Sequence, residues 1–290
     1  MRSSATGLEI PGVLWRRDPH ADAVPLVLDS PHSGALYPDD FAYCCPLTVL
    51  RRAEDAYVDE LYEAAPAHGA TLIGALFPRS YIDVNRAADD LDPGLFPRLL
   101  AGALPPVLVP RPTTRVGLVR RHAQPGVPIY DGKLSPDDIL ARIERYHTPY
   151  HRVLDQTCER LCREFGAVWH VNCHSMPSYG PSREERKGVY ADFVLGDRDG
   201  TTCAPDFTDF VARFLRGLGY DVRINEGYKG VEIVRRQGRP ADQRHSLQIE
   251  VDRALYMDQK TLEKLPGFDR LRADLAGLVE ALGAFVRARV

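Results

Sequence analysis

The sequence lacks long apolar runs, and it also lacks a large excess of charge of either sign. No apolar run approaches the roughly 18 residues of a membrane-spanning helix, and residues 1–11 lack the charged-then-apolar pattern of a signal peptide. The 37 basic and 40 acidic residues give a formal net charge of -3, which does not predict a surface for nucleic acid or anionic lipid. We therefore expect a cytoplasmic protein with no nucleic-acid or membrane partner.

Cysteine motifs and internal divisions are missing as well. The six cysteines include no CxxC pair, and Cys158 and Cys162 stand four apart on a predicted helix. This usage is typical of buried, reduced thiols in a cytoplasmic protein. Because no repeat, low-complexity tract or linker divides the 290 residues, we predict a single domain over residues 1–290, as a monomer or a weak homo-oligomer.

Two segments of similar layout are the main features that the sequence does contain. Residues 24–34 and 167–177 are each a run of β-formers that ends near a histidine, His32 or His174, beside Ser and Pro. Such runs predict buried strands, and open α/β sheets place ligands at the carboxyl ends of their strands. Two histidines at two strand ends predict a mononuclear metal site, although each could instead be a satisfied polar residue.

Carboxylates that could complete such a site occur in two places. Residues 47–65 have the apolar spacing of a helix, and Glu54, Asp55 and Asp59 lie on or near one side of it. Their alternative role is an acidic helix start, which the helix dipole favours. Glu250 ends a later predicted strand, a position where carboxylates are rarely buried without a partner.

A dense polar cluster follows the second predicted strand. It contains Arg79, Asp83, Asn85 and Arg86, and residues 82–86 alternate between apolar and polar with the period of a strand. Guanidinium and amide groups suit a substrate carboxylate, since arginine offers a bidentate fork. A surface ion-pair cluster is the alternative interpretation.

The rest of the chain alternates strand and helix patterns, which is typical of an α/β fold. A helix capped by Ser135 is expected to reach residue 165 with a kink or break near Pro149, and to carry His147 and His151 in a structural role. Further strands are expected at 70–75, 116–119, 190–195 and 221–224, helices at 206–218 and from 268 onward, and loops at 89–112 and 177–188.

Five sequence blocks, spread over most of the chain, are specific when taken together. They are DSPHSG at 29–34, IDVNR at 82–86, NCHSM at 172–176, NEGYKG at 225–230 and HSLQIEVDR at 245–253, the last extended by LYMD at 255–258. In these blocks the chain resembles the N-formylglutamate amidohydrolases (N-formylglutamate deformylases) of histidine degradation.

The resemblance implies a fold and a cofactor. The family is similar to the zinc carboxypeptidases and aspartoacylases, which implies a three-layer αβα sandwich around a mixed central sheet. Two histidines and one carboxylate hold the zinc in those relatives, which implies His32 and His174 as ligands of one Zn²⁺ per chain. The relatives place the carboxylate three residues after the first histidine, where this chain has Ala35. We therefore expect Asp55 as the third ligand, with the two other acidic residues of its segment as alternatives.

The resemblance also implies the other site residues and the reaction. A separate glutamate acts on the water in those relatives, which implies Glu250 as the catalytic base. An Asn-Arg pair binds the substrate carboxylate, which implies Asn85 and Arg86, with Arg79 as a second arginine. Because glutamate carries two carboxylates, a selective site needs more than one cation, and we expect Arg253 to assist from beside Glu250. The expected reaction is zinc-dependent hydrolysis of a small molecule, N-formyl-L-glutamate, to formate and L-glutamate.

Three other functions stay open at this point. A zinc hydrolase of another N-acyl amino acid or small peptide would use the same residues, because the sequence does not define the acyl pocket. A metal-free binding protein could keep the fold, but intact His32, His174 and Glu250 favour an enzyme. A cysteine amidase would use Cys173, but neighbours on a strand point to opposite faces, so we expect Cys173 to be buried.

Overall fold

A mixed sheet of eight strands forms the centre of the protein, whose computed structural model describes residues 7–20, 22–96, 117–178 and 191–290. The strands are β1 (Gly7–Ile10), β2 (Leu14–Arg17), β3 (Leu26–Ser30), β4 (Thr71–Ala75), β5 (His122–Gln124), β6 (Val127–Pro128), β7 (Val168–Met176), β8 (Phe193–Gly196), β9 (Val222–Ile224) and β10 (Arg244–Asp252). The sheet order is β1-β2-β4-β3-β7-β10-β8-β9, and β5 pairs with β6 in a separate hairpin. The central strands β4, β3, β7 and β10 are parallel, whereas β2 and β8 join them antiparallel.

Helices cover both faces of this sheet. They are α1 (Leu47–Arg51), α2 (Val58–Leu61), α3 (Pro136–Arg142), α4 (Thr148–Phe165), α5 (Pro205–Gly217), α6 (Glu232–Gln237) and α7 (Phe268–Arg287). Leu26 and Leu28 of β3 pack with α2, α5 and α7, whereas Val27 packs on the opposite face with α3, α4 and α6. The strands β3, β7 and β10 are buried throughout, as expected for strands covered on both faces. The predicted three-layer αβα sandwich with a mixed sheet is confirmed.

The prediction of one helix over residues 47–65 is wrong. The segment forms two short helices, α1 and α2, and Tyr57 between them has a left-handed backbone with φ 66. The backbone N–H of Asp55 donates to the carbonyl of His32 at 3.0 Å, which holds the connection against the end of β3. This tertiary bond overrides the helical spacing of the apolar residues.

The predicted strand at 82–86 is also wrong. The N–H of Arg86 donates to the carbonyl of Asp83 and closes a turn, while the N–H of Asp83 donates to the carbonyl of Leu118. Residues 117–119, part of another predicted strand, are irregular because their backbone groups bond to this turn and to Asp90 rather than to a ladder.

The kink or break predicted near Pro149 corresponds to an irregular turn just before this proline, and the helical segment from Ser135 to residue 165 is not interrupted. A capping box at Ser135 begins α3, and a π-helical turn over Ile143–His147 joins it to α4. The N–H of Thr148 donates to the carbonyl of Ile143, five residues back. This wider turn accommodates the proline at the start of α4, where its missing N–H breaks no regular helical bond.

Strands from nearly the whole chain, between residues 7 and 252, belong to this one sheet. This supports the proposal of a single domain over residues 1–290. Most of the two loops predicted at 89–112 and 177–188 lies outside the described residues. Within the described ranges, none of the helices combines the length and the apolar character that crossing a membrane requires.

Candidate metal centre and active site

The predicted site residues meet at the carboxyl ends of the central strands. His32 follows β3, whereas His174 lies near the end of β7. Glu250 on β10 is the register partner of His174. These three residues line one cavity of about 480 Å³. Parallel pairing therefore brings residues from distant parts of the sequence to one edge of the sheet.

His32, Asp55 and His174 form a buried group whose possible ligand atoms lie within 4.8 Å of one another. Asp55 Oδ2 is 3.3 Å from His32 Nδ1 and 3.0 Å from His174 Nδ1. Burial by itself raises the pKa of Asp55, but Arg79 and the two histidines hold that pKa well below its ordinary value. One ionised carboxylate and two imidazole nitrogens are a donor set that fits Zn²⁺.

The two other acidic residues of the segment have different surroundings. Glu54 accepts hydrogen bonds from Tyr37 at 2.6 Å and from Arg51 at 3.4 Å. Neither Glu54 nor Asp59 belongs to the group of possible ligands among the described residues. Asp55 is brought to the histidines because it lies in the connection between α1 and α2.

The Nε2 atoms of both histidines contact hydrogen-bond acceptors. His32 Nε2 lies 2.7 Å from Asp83 Oδ1, and His174 Nε2 lies 2.7 Å from Asn172 Oδ1. A carboxylate or amide oxygen only accepts, so these contacts suit the tautomer with the proton on Nε2. In that tautomer the two Nδ1 atoms, which face Asp55 Oδ2, are free of a proton and available to a metal ion, an arrangement common around zinc.

A buried carboxylate fixes the orientation of Asn172. Asp29 accepts from Asn172 Nδ2 at 2.7 Å and from the hydroxyl of Tyr150 at 2.7 Å. Since Nδ2 must face the carboxylate, Oδ1 of Asn172 faces His174. The sequence reasoning did not assign roles to Asn172 or Asp83, although both stand two residues from a predicted site residue, in the NxH and DxN spacings.

Arg79 and Arg253 direct their hydrogen bonds to carboxylates of the site. Arg79 donates to Asp83 Oδ2 from Nη2 at 2.9 Å and from Nε at 3.3 Å, and to Asp55 Oδ1 at 3.4 Å. Arg253 donates to Asp55 Oδ1 at 2.8 Å and to the hydroxyl of Ser175 at 3.1 Å. Both arginines line the cavity, but their observed partners belong to the protein.

Glu250 is a buried carboxylate with few donors. Gln248 Nε2 donates to its Oε1 at 3.1 Å, and the residue is 6% exposed. Burial raises the pKa of Glu250 to about 7, with Asp55 adding to the rise and His174 opposing it. A carboxylate with a pKa near neutrality, beside a possible metal site, is suited to act as a general base.

Asn85 and Arg86 lie in the turn that follows Asp83. Asn85 Oδ1 accepts from the N–H of Ile233 at 2.9 Å, so its Nδ2 faces His174 at 3.1 Å from Nε2. In the tautomer with the proton on His174 Nε2, Asn85 Nδ2 can donate to an acceptor in the cavity. Arg86 also lines the cavity, and its Nη1 lies 3.9 Å from Asp90 Oδ2.

His147 and His151 contact the backbone on either side of Asn85. His147 Nε2 lies 2.9 Å from the carbonyl of Arg86, and His151 Nε2 lies 2.8 Å from the carbonyl of Val84. Burial lowers the pKa of both imidazoles, which favours the neutral form. These contacts support the structural role predicted for the pair.

Other residues of the cavity wall were missed by the sequence reasoning. Arg120 precedes β5, and residues 227–231 follow β9. The signals that could have found them were the dibasic pair at 120–121 and the NEGYKG block.

Comparison with known proteins gives matches over nearly the whole chain. The family model of N-formylglutamate amidohydrolase matches residues 24–257. An N-formylglutamate deformylase of Pseudomonas aeruginosa is 28% identical over 272 residues, covering 92% of this chain and 95% of the relative. One of Pseudomonas putida is 30% identical over 254 residues, covering 83% and 84%. The crystal structure of N-formylglutamate amidohydrolase from Ralstonia eutropha JMP134 superposes with a TM-score of 0.89 at 45% identity, covering 96% of this chain and all of that one.

Proposed function

Because the chain belongs to the N-formylglutamate amidohydrolase family, we propose that it hydrolyses the formamide bond of N-formyl-L-glutamate to formate and L-glutamate. The observation that carries this proposal is the buried His32, Asp55 and His174 group beside a cavity that also contains Glu250 and several arginines. The group supplies a metal site, Glu250 supplies a base, and the arginines supply positive charge for a dianionic substrate.

We propose one Zn²⁺ per chain, held by His32 Nδ1, Asp55 Oδ2 and His174 Nδ1. Three protein ligands with an open fourth position are typical of catalytic zinc. When bound, zinc makes water a nucleophile near neutral pH and stabilises negative charge on a carbonyl oxygen. Asp83 and Asn172 would keep both imidazoles in the tautomer that such binding needs.

In the proposed reaction, Glu250 accepts the proton of the attacking water and passes it to the departing amino group of glutamate. Its burial and raised pKa support this role, because a base with a pKa near the operating pH can both take and return a proton. The register pairing of Glu250 with His174 supports placing the base next to the attacked carbon.

We propose that Asn85 and Arg86 bind a carboxylate of the substrate and so hold the formyl carbon near the zinc site. Arg79 donates to Asp55 and Asp83, and Arg253 donates to Asp55, which supports a modified role for both arginines. They orient the ligands of the metal and attract the substrate by their charge, without bonds of their own to it. We also propose, from the family resemblance and the composition, that the reaction serves histidine degradation in the cytoplasm.

A cysteine mechanism has less support. Cys173 is completely buried and packs in the cluster with Leu28 and Val171, away from the cavity. Burial raises its pKa well above the ordinary value, which disfavours the nucleophilic thiolate.

The proposed function is tested by measuring formate release from N-formyl-L-glutamate together with the metal content of the purified protein. N-acetyl-L-glutamate serves as the matched substrate, since it differs only in the acyl group. Preferred use of the formyl compound is expected. Preferred use of the acetyl compound would favour the alternative of a general N-acyl amino acid hydrolase, and full activity in a metal-free preparation would reject the zinc mechanism.

A further inference from the structure

Arg120 is a cavity arginine without a hydrogen-bond partner in the described part of the chain. Its Nε is buried and unsatisfied. Its Nη2 lies 3.9 Å from Asp83 Oδ2, which is longer than a hydrogen bond. The side chain is only 15% exposed, so bulk water reaches little of it.

The backbone fixes Arg120 in this position. Leu118 and Val119, just before it, are completely buried, and the carbonyl of Leu118 accepts the N–H of Asp83. The segment before the β5–β6 hairpin is therefore attached to the turn that carries Asp83 and Asn85. Arg120 cannot move far from the cavity without disrupting this contact.

The neighbouring carboxylates are already engaged by other cations. Asp83 Oδ2 accepts from two nitrogens of Arg79, and Asp55 Oδ1 accepts from Arg79 and Arg253. Burial and then the charge of Arg79 lower the pKa of Arg120 to about 9, so the guanidinium remains protonated at pH 7. A buried guanidinium without a hydrogen-bonded anion is costly to keep, and an anionic ligand would offset that cost.

We propose that Arg120 binds the second carboxylate of the substrate, the one that Asn85 and Arg86 do not hold. This inference rests on the proposed function and adds the residue that restricts the site to formylated amino acids with two carboxylates. A carboxylate entering the cavity would give Arg120 the bidentate partner that none of the described residues provides. Arg86, whose observed ion pair is also 3.9 Å long, would take the other carboxylate.

The test uses three substrates that differ by one carboxylate. N-formyl-L-glutamate has both, N-formyl-L-glutamine lacks the side-chain carboxylate, and 4-formamidobutanoate lacks the α-carboxylate. We expect Arg120→Gln to lower kcat/KM for N-formyl-L-glutamate by about 10- to 150-fold. For the analogue that keeps the carboxylate bound by Arg120, kcat/KM should fall by a similar factor. For the analogue that lacks this carboxylate, kcat/KM should change by less than about threefold. Arg120→Lys should restore only part of the loss.

Arg121→Gln is the matched control. Arg121 is 45% exposed and pairs with Asp92 at 3.0 Å, and it does not line the cavity, so its variant should behave as wild type on all three substrates. Because Arg120 has no hydrogen-bond partner among the described residues, Arg120→Gln should have an unchanged or raised Tm. If Arg120→Gln does not fold, Arg120→Lys provides the same comparison.

The outcomes separate this inference from the proposed function. A wild-type enzyme that does not hydrolyse N-formyl-L-glutamate overturns both. A wild-type enzyme that hydrolyses it, combined with an equal loss by Arg120→Gln on all three substrates or no loss on any, overturns the role of Arg120 alone. If Arg120→Gln lowers the Tm and also reduces kcat/KM equally on all three substrates, Arg120 stabilises the fold instead of binding substrate.

Discussion

At the level of single residues, the two histidines of the candidate metal centre are held by different kinds of acceptor. His32 donates to the carboxylate of Asp83, whereas His174 donates to the amide oxygen of Asn172. An anionic acceptor increases the basicity of a histidine ligand as well as orienting its ring. Asp83 should therefore contribute to metal affinity although it is not a ligand.

We expect Asp83→Asn to weaken zinc binding by about 10- to 100-fold, because it removes the charge behind His32 while keeping the shape. The dissociation constant is measured by competition with a chromophoric chelator. Asp137→Asn, at an exposed position on α3, is the control and should bind zinc as wild type does. An unchanged affinity in Asp83→Asn would show that the carboxylate has no such role.

Glu250→Gln keeps the shape of the side chain and removes its ability to accept a proton. We expect kcat to fall by about 10²- to 10⁴-fold, while the zinc content stays at one per chain. Metal analysis and formate release are measured on the same preparation. Loss of zinc from this variant would mean that Glu250 is a ligand rather than the base.

The site residues that could be predicted from the sequence are those that lie at the end of a strand. His32, His174 and Glu250 could be chosen because a predicted strand leads to each of them. The position of Asp55 depends on a backbone bond to His32, and no local pattern encodes that contact. Arg120 was overlooked for a similar reason, since its buried and unsatisfied Nε beside the cavity is visible only in three dimensions.

At the level of elements, α4 and the π-helical turn before it support the turn that carries Asn85 and Arg86. His147 is the last residue of the π-helical turn, and His151 lies one turn further along α4. Their Nε2 atoms contact the carbonyls of Arg86 and Val84. The helix thus fixes the backbone on both sides of the proposed carboxylate-binding amide.

His147→Leu removes one of these two backbone contacts. A single hydrogen bond contributes about 0.5–1.5 kcal/mol, so we expect KM for N-formyl-L-glutamate to rise by about 2- to 10-fold, with zinc content unchanged. His147→Gln should restore most of the affinity, because the glutamine Nε2 can donate to the same carbonyl. Equal KM values in wild type and His147→Leu would argue against this positioning role.

The sequence predicted the elements of the sheet better than the segments around the site. The strands β3, β7 and β10 are buried along their whole length, as expected for strands of a sheet that is covered on both faces. Residues 47–65 and 82–86 also had regular patterns, but their backbone groups bond to distant carbonyls. Local periodicity cannot anticipate a partner that lies elsewhere in the sequence.

At the level of the whole molecule, the candidate metal centre joins three separate parts of the chain. Its members come from the end of β3, the connection between α1 and α2, and β7. An ion that binds only this assembled group stabilises the native state by mass action.

We therefore expect removal of zinc to lower the thermal stability. At free zinc of 100 times Kd the stabilisation is about 2.7 kcal/mol, which corresponds to a decrease in Tm of roughly 5 °C on chelation. Differential scanning calorimetry with and without chelator measures the change. His174→Ala should show no dependence of Tm on zinc, and a dependence equal to that of wild type would place the ion elsewhere.

The pairing of β7 with β10 also determines how rigid each part of the site is. His174 and Glu250 are register partners on two strands inside the sheet, so their amide protons should exchange with solvent only when the whole protein unfolds. Asp55 lies instead in a connection between two short helices, which can open locally. In hydrogen–deuterium exchange, chelation should accelerate labelling of residues 52–57 and leave residues 168–176 slow. The enzyme would then lose and regain its metal through the Asp55 connection, while the ligand and the base on the sheet stay in place.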